Sequence, residues 1–159
     1  MFELQTITKD ASIYLKRWRL LGYLSPDDNY LGKPIESKLP FTVRLHKFFR
    51  PDADLCMHNH PWKWGFSFIF WGGYREVKYN IETQETTELV HRAPAINFIR
   101  HSDYHMVTEL YGRPLTLFIT GPKVSSWGFL VNNVHIPWKK FLGIEDGPKE
   151  EDKSSSRYN

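Results

Sequence analysis

From Phe41 onward the chain is a succession of short β-rich segments separated by turn residues. The segments are rich in Val, Ile, Thr and aromatic residues and follow one another at intervals of about 8–12 residues, which is typical of an all-β sandwich or barrel. Gly72-Gly73 is predicted to be a turn between two of them. The predicted strands cover 41–49, 55–62, 65–71, 74–82, 86–92, 96–100, 104–111, 114–121 and 127–131.

Residues 10–22 show a different periodicity and are predicted to form one N-terminal amphipathic α-helix, with Asp10 as its N-cap. The apolar stripe of this helix would consist of Ala11, Tyr14, Leu15, Trp18 and Leu21. Its basic residues, Lys16, Arg17 and Arg19, would face water. Residues 23–40 are rich in Pro, Gly, Asp and Ser, and we expect loops there.

A length of 159 residues fits one domain, which we place at 1–144. The polar, charged segment 145–159 is expected to be a disordered tail. One cysteine excludes an intramolecular disulfide and favours a cytoplasmic location. There is no apolar run long enough for a membrane span and no dense Lys/Arg run typical of a nucleic-acid groove. The net charge of +3 favours small anionic partners in general.

The candidate chemistry centres on His58-Asn59-His60. Residues i and i+2 of a strand face the same side, so the two imidazoles can share a metal ion. Two ligands rarely suffice, and His105, in a predicted strand, is the best third candidate. The same spacing is also compatible with hydrogen-bonded core histidines.

The remaining histidines are weaker candidates. His46 lies in the strand before the His58-Asn59-His60 segment, where it is a candidate fourth ligand or a partner of a ligand. His91, His101 and His135 are assigned to the surface or to loops. Cys56, two residues before His58, is a candidate soft ligand, although a buried free cysteine usually acts as a small hydrophobic residue.

These segments resemble the cupin superfamily, whose first motif contains an HxH pair, a glutamate ligand and a closing glycine. His58 and His60 match the pair and Gly72 matches the closing glycine, whereas Asp52 replaces the opening glycine and Gly65 stands where the glutamate is expected. In the second motif His105 matches the histidine, while Arg100 and Ser102 replace the usual Pro and Gly and Glu109 stands where an Asn often follows. The longer stretch 14–131 resembles uncharacterised cupin-like proteins of bacteria and phages.

This resemblance implies a double-stranded β-helix barrel, which the predicted N-terminal helix precedes in the chain. Without the glutamate, the three-histidine set is similar to the iron centre of thiol dioxygenases and to three-histidine zinc sites. Glu76 is an alternative carboxylate for the site, and either Glu76 or Glu109 is a candidate general base. The residues that we expect to bind substrate at the barrel mouth are Arg44, Arg100, Trp62, Trp64 and Trp127. Tyr104 adjoins His105 and is expected to face the opposite side of its strand.

Three functions follow as hypotheses. The favoured one is a non-haem Fe(II) oxygenase that acts on a small anionic molecule or a nucleotide. The second is a hydrolase or isomerase that uses Zn, Mn or Ni in the same site. The third is a non-catalytic cupin that binds a ligand or a protein. Because edge strands of small barrels pair between subunits and the chain is 16% aromatic, a homodimer is also expected.

Overall fold

The structure is a computed structural model that describes residues 3–9, 11–22, 40–52, 56–141 and 143. Within these residues nearly every element is a β-strand, which confirms the predicted all-β class. The strands are β1 (Glu3–Lys9), β2 (Ser12–Leu21), β3 (Thr42–Phe48), β4 (Met57–His58), β5 (Trp64–Asn80), β6 (Glu85–Arg92), β7 (Ala95–Arg100), β8 (Asp103–Thr120), β9 (Gly128–Val131) and β10 (Val134–Pro137). A single turn of helix, α1 (Trp138–Phe141), follows them.

Two long strands organise the barrel. β5 and β8 pair along almost their whole length, with register shifts near Ile69, Trp71 and Arg75. The predicted turn at Gly72-Gly73 is therefore a bend within one strand, and the predicted strands 104–111 and 114–121 are likewise one strand. Gly72 has a φ of 67°, and a Cβ there would lie 2.6 Å from the Tyr111 carbonyl oxygen. Glycine thus permits the bend that turns both strands from one wall of the barrel to the other.

The bend divides the curled antiparallel sheet into two walls. In the first wall the C-terminal half of β8 pairs with β3, the N-terminal half of β5 pairs with β7, and β1 and β2 extend the edge. In the second wall the C-terminal half of β5 pairs with β6, and the N-terminal half of β8 pairs with β4. On its other edge β4 pairs with β9, and β9 pairs with β10. Every one of these pairings is antiparallel.

The predicted N-terminal helix is wrong. Residues 12–21 form β2, which is hydrogen-bonded to β1 on one side and to β3 on the other, so ladder partners on both edges override the helical periodicity. The basic residues do not all face water either, since Arg17 Nε donates a hydrogen bond to His46 Nε2 at 3.0 Å. Asp10, most of the predicted loop 23–40 and the predicted tail 145–159 lie outside the described residues.

The first wall has a polar inner face and an apolar outer face. The buried inward residues include Thr42, Arg44, His46, Ser67, Asn97, Thr116 and Thr120. The residues between them point outward and are mostly aliphatic or aromatic. The buried apolar core inside is small, with one cluster of Trp62, Ile99 and Phe118 and a second built on Ile69, Tyr74 and Val107. Polar groups therefore occupy much of the barrel interior. No helix in the described part of the chain is long and apolar enough to cross a membrane.

Candidate metal centre

The side chains of His58, at the end of β4, and of His60, just after it, point toward the barrel interior. Asn59 between them is buried and fixes the segment to β9, because its backbone N–H donates to the Gly128 carbonyl at 3.0 Å and its side-chain Oδ1 accepts from the Gly128 N–H at 2.8 Å. This anchoring lets His58 and His60 share one side, as their spacing predicts. Their ring centroids are 5.3 Å apart.

The third histidine comes from the strand next to β4. His105 is the Cα partner of His58 in the β4–β8 pairing, and its ring centroid is 4.8 Å from that of His58 and 4.9 Å from that of His60. Ring nitrogens of all three residues lie within 4.8 Å of one another, and the Nε2 atoms of His60 and His105 are 2.8 Å apart. Two nitrogens bound to one tetrahedral metal at about 2.1 Å lie about 3.4 Å apart, so small ring shifts would suffice. The three side chains fit a divalent metal ion.

A buried carboxylate stands directly behind His105. Glu76 on β5 is fully buried, and its Oε1 accepts a 2.5 Å hydrogen bond from His105 Nδ1. Its Oε2 lies 3.1 Å from His91 Nε2 and accepts from Asn97 Nδ2 at 2.8 Å. A hydrogen bond at Nδ1 fixes the tautomer of His105 and leaves its Nε2 lone pair toward His60. Glu76 thus orients a candidate ligand, and His91, which we assigned to the surface or a loop, helps to hold that carboxylate.

Two pKa shifts keep the site in its metal-binding form. Burial opposes ionisation of Glu76, but hydrogen bonds from His105 and His91 and the nearby Lys78 charge outweigh it and hold the pKa of Glu76 well below its usual range. Burial lowers the pKa of His60, and the electrostatic influence of the neighbouring His105 and His58 rings lowers it further. A neutral imidazole beside an ionised carboxylate partner is the state that coordinates a divalent cation.

A second carboxylate, Asp52, lies in the same electrostatic environment. Its Oδ1 accepts from the Tyr14 hydroxyl at 2.6 Å and its Oδ2 from the Val107 N–H at 2.8 Å. Burial opposes the charge, but His58 and these hydrogen bonds lower the pKa of Asp52 overall. In the sequence, Asp52 is notable only because it replaces the opening glycine of the first motif. Its position shortly before the HxH segment is the one sequence signal that points to its place beside the histidines.

The place of the missing glutamate is filled by an aromatic ring. A Cβ built on Gly65 would lie 3.2 Å from Cζ of Phe118, whose ring centroid is 6.3 Å from that of His60. A longer side chain at residue 65 would therefore compete with Phe118 for space. Among the described residues, the group of donor atoms close enough to hold a metal consists of the three histidines and does not include Cys56.

His46 does not join this group as a fourth ligand. Its Nε2 accepts the hydrogen bond from Arg17, which occupies the lone pair that a metal would need. Burial lowers the pKa of His46 strongly, and the charges of Arg17 and Arg44 lower it further. His46 contacts Phe118 on the wall opposite the candidate site, with ring centroids 5.2 Å apart.

The expected substrate-binding residues separate into two sets. Trp62 stacks on His60 with centroids 5.1 Å apart, Arg44 lies 5.1 Å from the Trp62 ring, and the Trp127 ring is 6.4 Å from that of His58. Trp64 and Arg100 are Cα partners that alternate with the buried Gly65 and Ile99, so they point to the outer face, away from the histidines. The structure does not bring this second pair to the site.

Glu109 is also far from the histidines. It lies four residues beyond His105 on β8, about 13 Å along a strand. Its carboxylate is exposed and accepts from Arg75 Nε at 3.2 Å and from the Tyr111 hydroxyl at 3.0 Å. It is therefore not in reach as a general base. Tyr104 does face away from His105, as expected, and its hydroxyl lies 2.8 Å from His135 Nδ1.

The chain matches no protein-family model and no curated protein sequence. Solved structures do match. The iron(II) form of HppE aligns with a TM-score of 0.53 and 12% identity over 75% of this chain and 56% of HppE. Oxalate decarboxylase from Lactobacillus farciminis, in a formate complex, aligns with a TM-score of 0.55 and 13% identity over 90% of this chain and 36% of that one.

A third solved structure is a cupin-2 domain from Rhodospirillum rubrum, with a TM-score of 0.53 and 11% identity over 82% of this chain and 76% of that chain. The chain thus spans little more than half of HppE and about a third of the decarboxylase. At these identities the likeness concerns the fold. Together with the bent β5 and β8 strands and the histidines placed on one wall, it confirms the resemblance found in the sequence: the chain has the fold of the cupin superfamily.

Proposed function

We propose that this protein is a metal-dependent enzyme in which His58, His60 and His105 hold a divalent cation. The observation that carries the proposal is the convergence of three ring nitrogens within 4.8 Å, on two half-buried and one buried histidine, with the Glu76 carboxylate fixing the third ring. Surface histidines that merely satisfy hydrogen bonds do not require a fully buried, ionised carboxylate behind them.

We further propose that the metal is Fe(II) and that the reaction is an oxygenation of a small anionic molecule. A bound ferrous ion supplies open coordination positions and one-electron redox chemistry. Support comes from the three neutral ligands and from HppE, a structural neighbour described with Fe(II). The basic net charge of the chain and the buried Arg44 beside Trp62 favour an anionic substrate.

The residues of this chain have distinct tasks in that reaction. Glu76 keeps the Nδ1 proton of His105 in place, so that the lone pair of Nε2 is directed toward the metal. Asn59 holds the HxH segment against β9 and so sets the separation of two ligands. Trp62 and Trp127, packed beside His60 and His58, restrict access of water to the centre and offer flat surfaces to a substrate.

The test measures metal content by elemental analysis in protein purified without a His tag, beside a His58→Ala/His60→Ala variant, followed by oxygen consumption with small carboxylates and phosphonates. Near-stoichiometric iron that is lost in the variant, with substrate-dependent oxygen uptake, is the expected result. Zinc, manganese or nickel at that level, with turnover that needs no oxygen, would instead support the hydrolase or isomerase. No metal after reconstitution would overturn both and favour a non-catalytic binding protein.

A further inference from the structure

The carboxylate that orients His105 has a lysine beside it. Lys78 is on β5, two residues after Glu76, so the two side chains lie on the same face of the strand. In the pairing of β5 with β8, Lys78 is the Cα partner of His105. Its side chain is only 12% exposed, and its Nζ lies 3.8 Å from Glu76 Oε2. A lysine is almost never buried to this extent unless its charge has a partner.

The amide of Asn97 fixes this lysine to the carboxylate. Lys78 Nζ donates to Asn97 Oδ1 at 2.7 Å and to the Phe98 carbonyl at 2.7 Å. The Nδ2 of the same amide donates to Glu76 Oε2 at 2.8 Å. Asn97 is 2% exposed, so both ends of its side chain are used inside the barrel. A chain of hydrogen bonds therefore runs from Lys78 through Asn97 and Glu76 to His105.

This chain brings two opposite charges together next to a candidate ligand. The ionised Glu76 contributes one negative charge behind His105, and the ammonium group of Lys78 contributes one positive charge 3.8 Å from that carboxylate. At distances larger than their separation such charges largely cancel, so the pair acts on the space between the histidines as a dipole and not as a full negative charge. The three imidazoles are themselves neutral when they bind a metal ion. Glu76 therefore does not neutralise a dication that they hold.

We infer that Lys78 is a positioning residue that keeps the metal centre electrophilic and so favours an anionic group at its open coordination positions. Without the positive charge of Lys78, Glu76 would attract the Nδ1 proton of His105 more strongly, and the ring would become a more basic ligand. The inference rests on the proposed function, because it needs a divalent cation at the three histidines. It deepens that function by tracing the preference for an anionic substrate to a residue three hydrogen bonds away from His105.

Two binding constants, measured on the same variant, test the inference. Lys78→Gln removes the charge but keeps an amide that can donate to Asn97. Competition with a chromophoric chelator gives the affinity for Co(II), and the visible spectrum of the Co(II)-loaded protein gives its affinity for azide, a small anion. We expect Co(II) to bind about 10-fold more tightly and azide about 10-fold more weakly than in the wild type, the scale of effects from groups behind a ligand. Lys78→Arg keeps the charge and should return both constants toward the wild-type values.

Arg75→Gln is the matched control. It removes a cation from the same strand, but the Arg75 side chain is 41% exposed and is paired with Glu88 and Glu109. Both constants should stay at their wild-type values in this variant. Circular dichroism checks folding, and Lys78→Met, a neutral side chain of similar length, replaces Lys78→Gln with the same expectations if the latter does not fold.

The signs of the two effects separate the possible outcomes. A merely structural role of Lys78 would weaken the binding of Co(II) and of azide together, and that result overturns the inference. Constants that do not change in Lys78→Gln, or that change equally in Arg75→Gln, also overturn it, while the metal site itself stands. A wild type that binds no Co(II) overturns the proposed function and this inference with it.

Discussion

Two buried histidines on opposite walls of the barrel, His105 and His46, show how the group behind an imidazole decides what the ring can do. His105 on the second wall donates Nδ1–H to the carboxylate of Glu76, which leaves its other nitrogen available toward His60. His46 on the first wall accepts a hydrogen bond from the guanidinium group of Arg17. The lone pair of His105 faces another candidate ligand, with negative charge behind the ring. The lone pair of His46 is bonded to a positively charged group.

The same division extends to the walls themselves. The carboxylates of Glu76 and Asp52 lie around the histidine cluster, and both have lowered pKa values because histidines and hydrogen-bond donors surround them. Arg17 and Arg44 lie around His46. Burial is the main cause of the lowered pKa of this ring, and the two positive charges lower it further. Opposite charges are therefore sorted within a single barrel, and among the described residues it is the second wall that is suited to hold a cation.

The largest effect is expected from exchanging each histidine for an amide of similar size. His105→Gln should lose the metal, with an affinity loss beyond the about 10- to 100-fold that follows removal of a group that only orients a ligand. His46→Gln should retain near-stoichiometric metal, because its Nε2 is already bonded to Arg17. Elemental analysis of both purified variants checks this. Metal loss in His46→Gln with a native circular dichroism spectrum would contradict the comparison.

Removing the charge behind the ligand should give the next largest effect. Glu76→Gln keeps the shape of the side chain but removes the negative charge that His105 Nδ1 faces, so metal affinity should fall about 10- to 100-fold. Competition with a chromophoric chelator measures it. Glu109→Gln, an exposed position on the same strand as His105, is the matched control and should change affinity little. Equal losses in the two variants would show that Glu76 has no special role.

The pH dependence of stability tests the opposite wall. Since the pKa of folded His46 is lowered, the unfolded chain binds a proton below about pH 6.5 that the folded chain does not. The free energy of unfolding of metal-free protein should therefore decrease as pH falls below that value, by up to about 1.4 kcal/mol per pH unit for this group. His60, whose pKa is also lowered, contributes in the same direction.

Denaturant unfolding from about pH 8 to about pH 5 provides the measurement. The slope should be shallower in His46→Gln by about one proton. Thr87→Ala, at an exposed position on β6, changes no titratable group and should keep the wild-type slope. A slope that is unchanged in His46→Gln would mean that His46 is protonated in the folded protein.

The smallest effect concerns one neighbouring charge. Arg17→Met removes both the positive charge and the hydrogen bond at His46 Nε2, so the pKa of His46 should rise while burial still keeps it below the ordinary value. NMR titration of the His46 ring in metal-free protein follows this shift. A fall in the pKa of His46 would show that Arg17 stabilises the protonated ring, contrary to the assignment of this wall.

Much of the architecture and the core of the site could be predicted from the sequence. The alternation in segments such as 41–49 and 96–100 is a local property, and those strands form where they were expected. The spacing of His58 and His60 likewise fixes their common side through the strand period of two. The helix predicted at 10–22 failed because its apolar pattern suits a helix locally, whereas β1 and β3 supply hydrogen-bonding partners on both edges.

The sequence by itself determined the strand-rich class, the HxH pair and the choice of His105, because each depends on residue type and short-range periodicity. Only the tertiary structure decided which groups stand behind those side chains. Glu76 meets His105 from a residue 29 positions away, Phe118 fills the space above Gly65, and Glu109 is directed to solvent. These outcomes depend on how β5 and β8 bend and align across the barrel. Register between distant strands is set by the packing of the whole sheet, which no local pattern encodes.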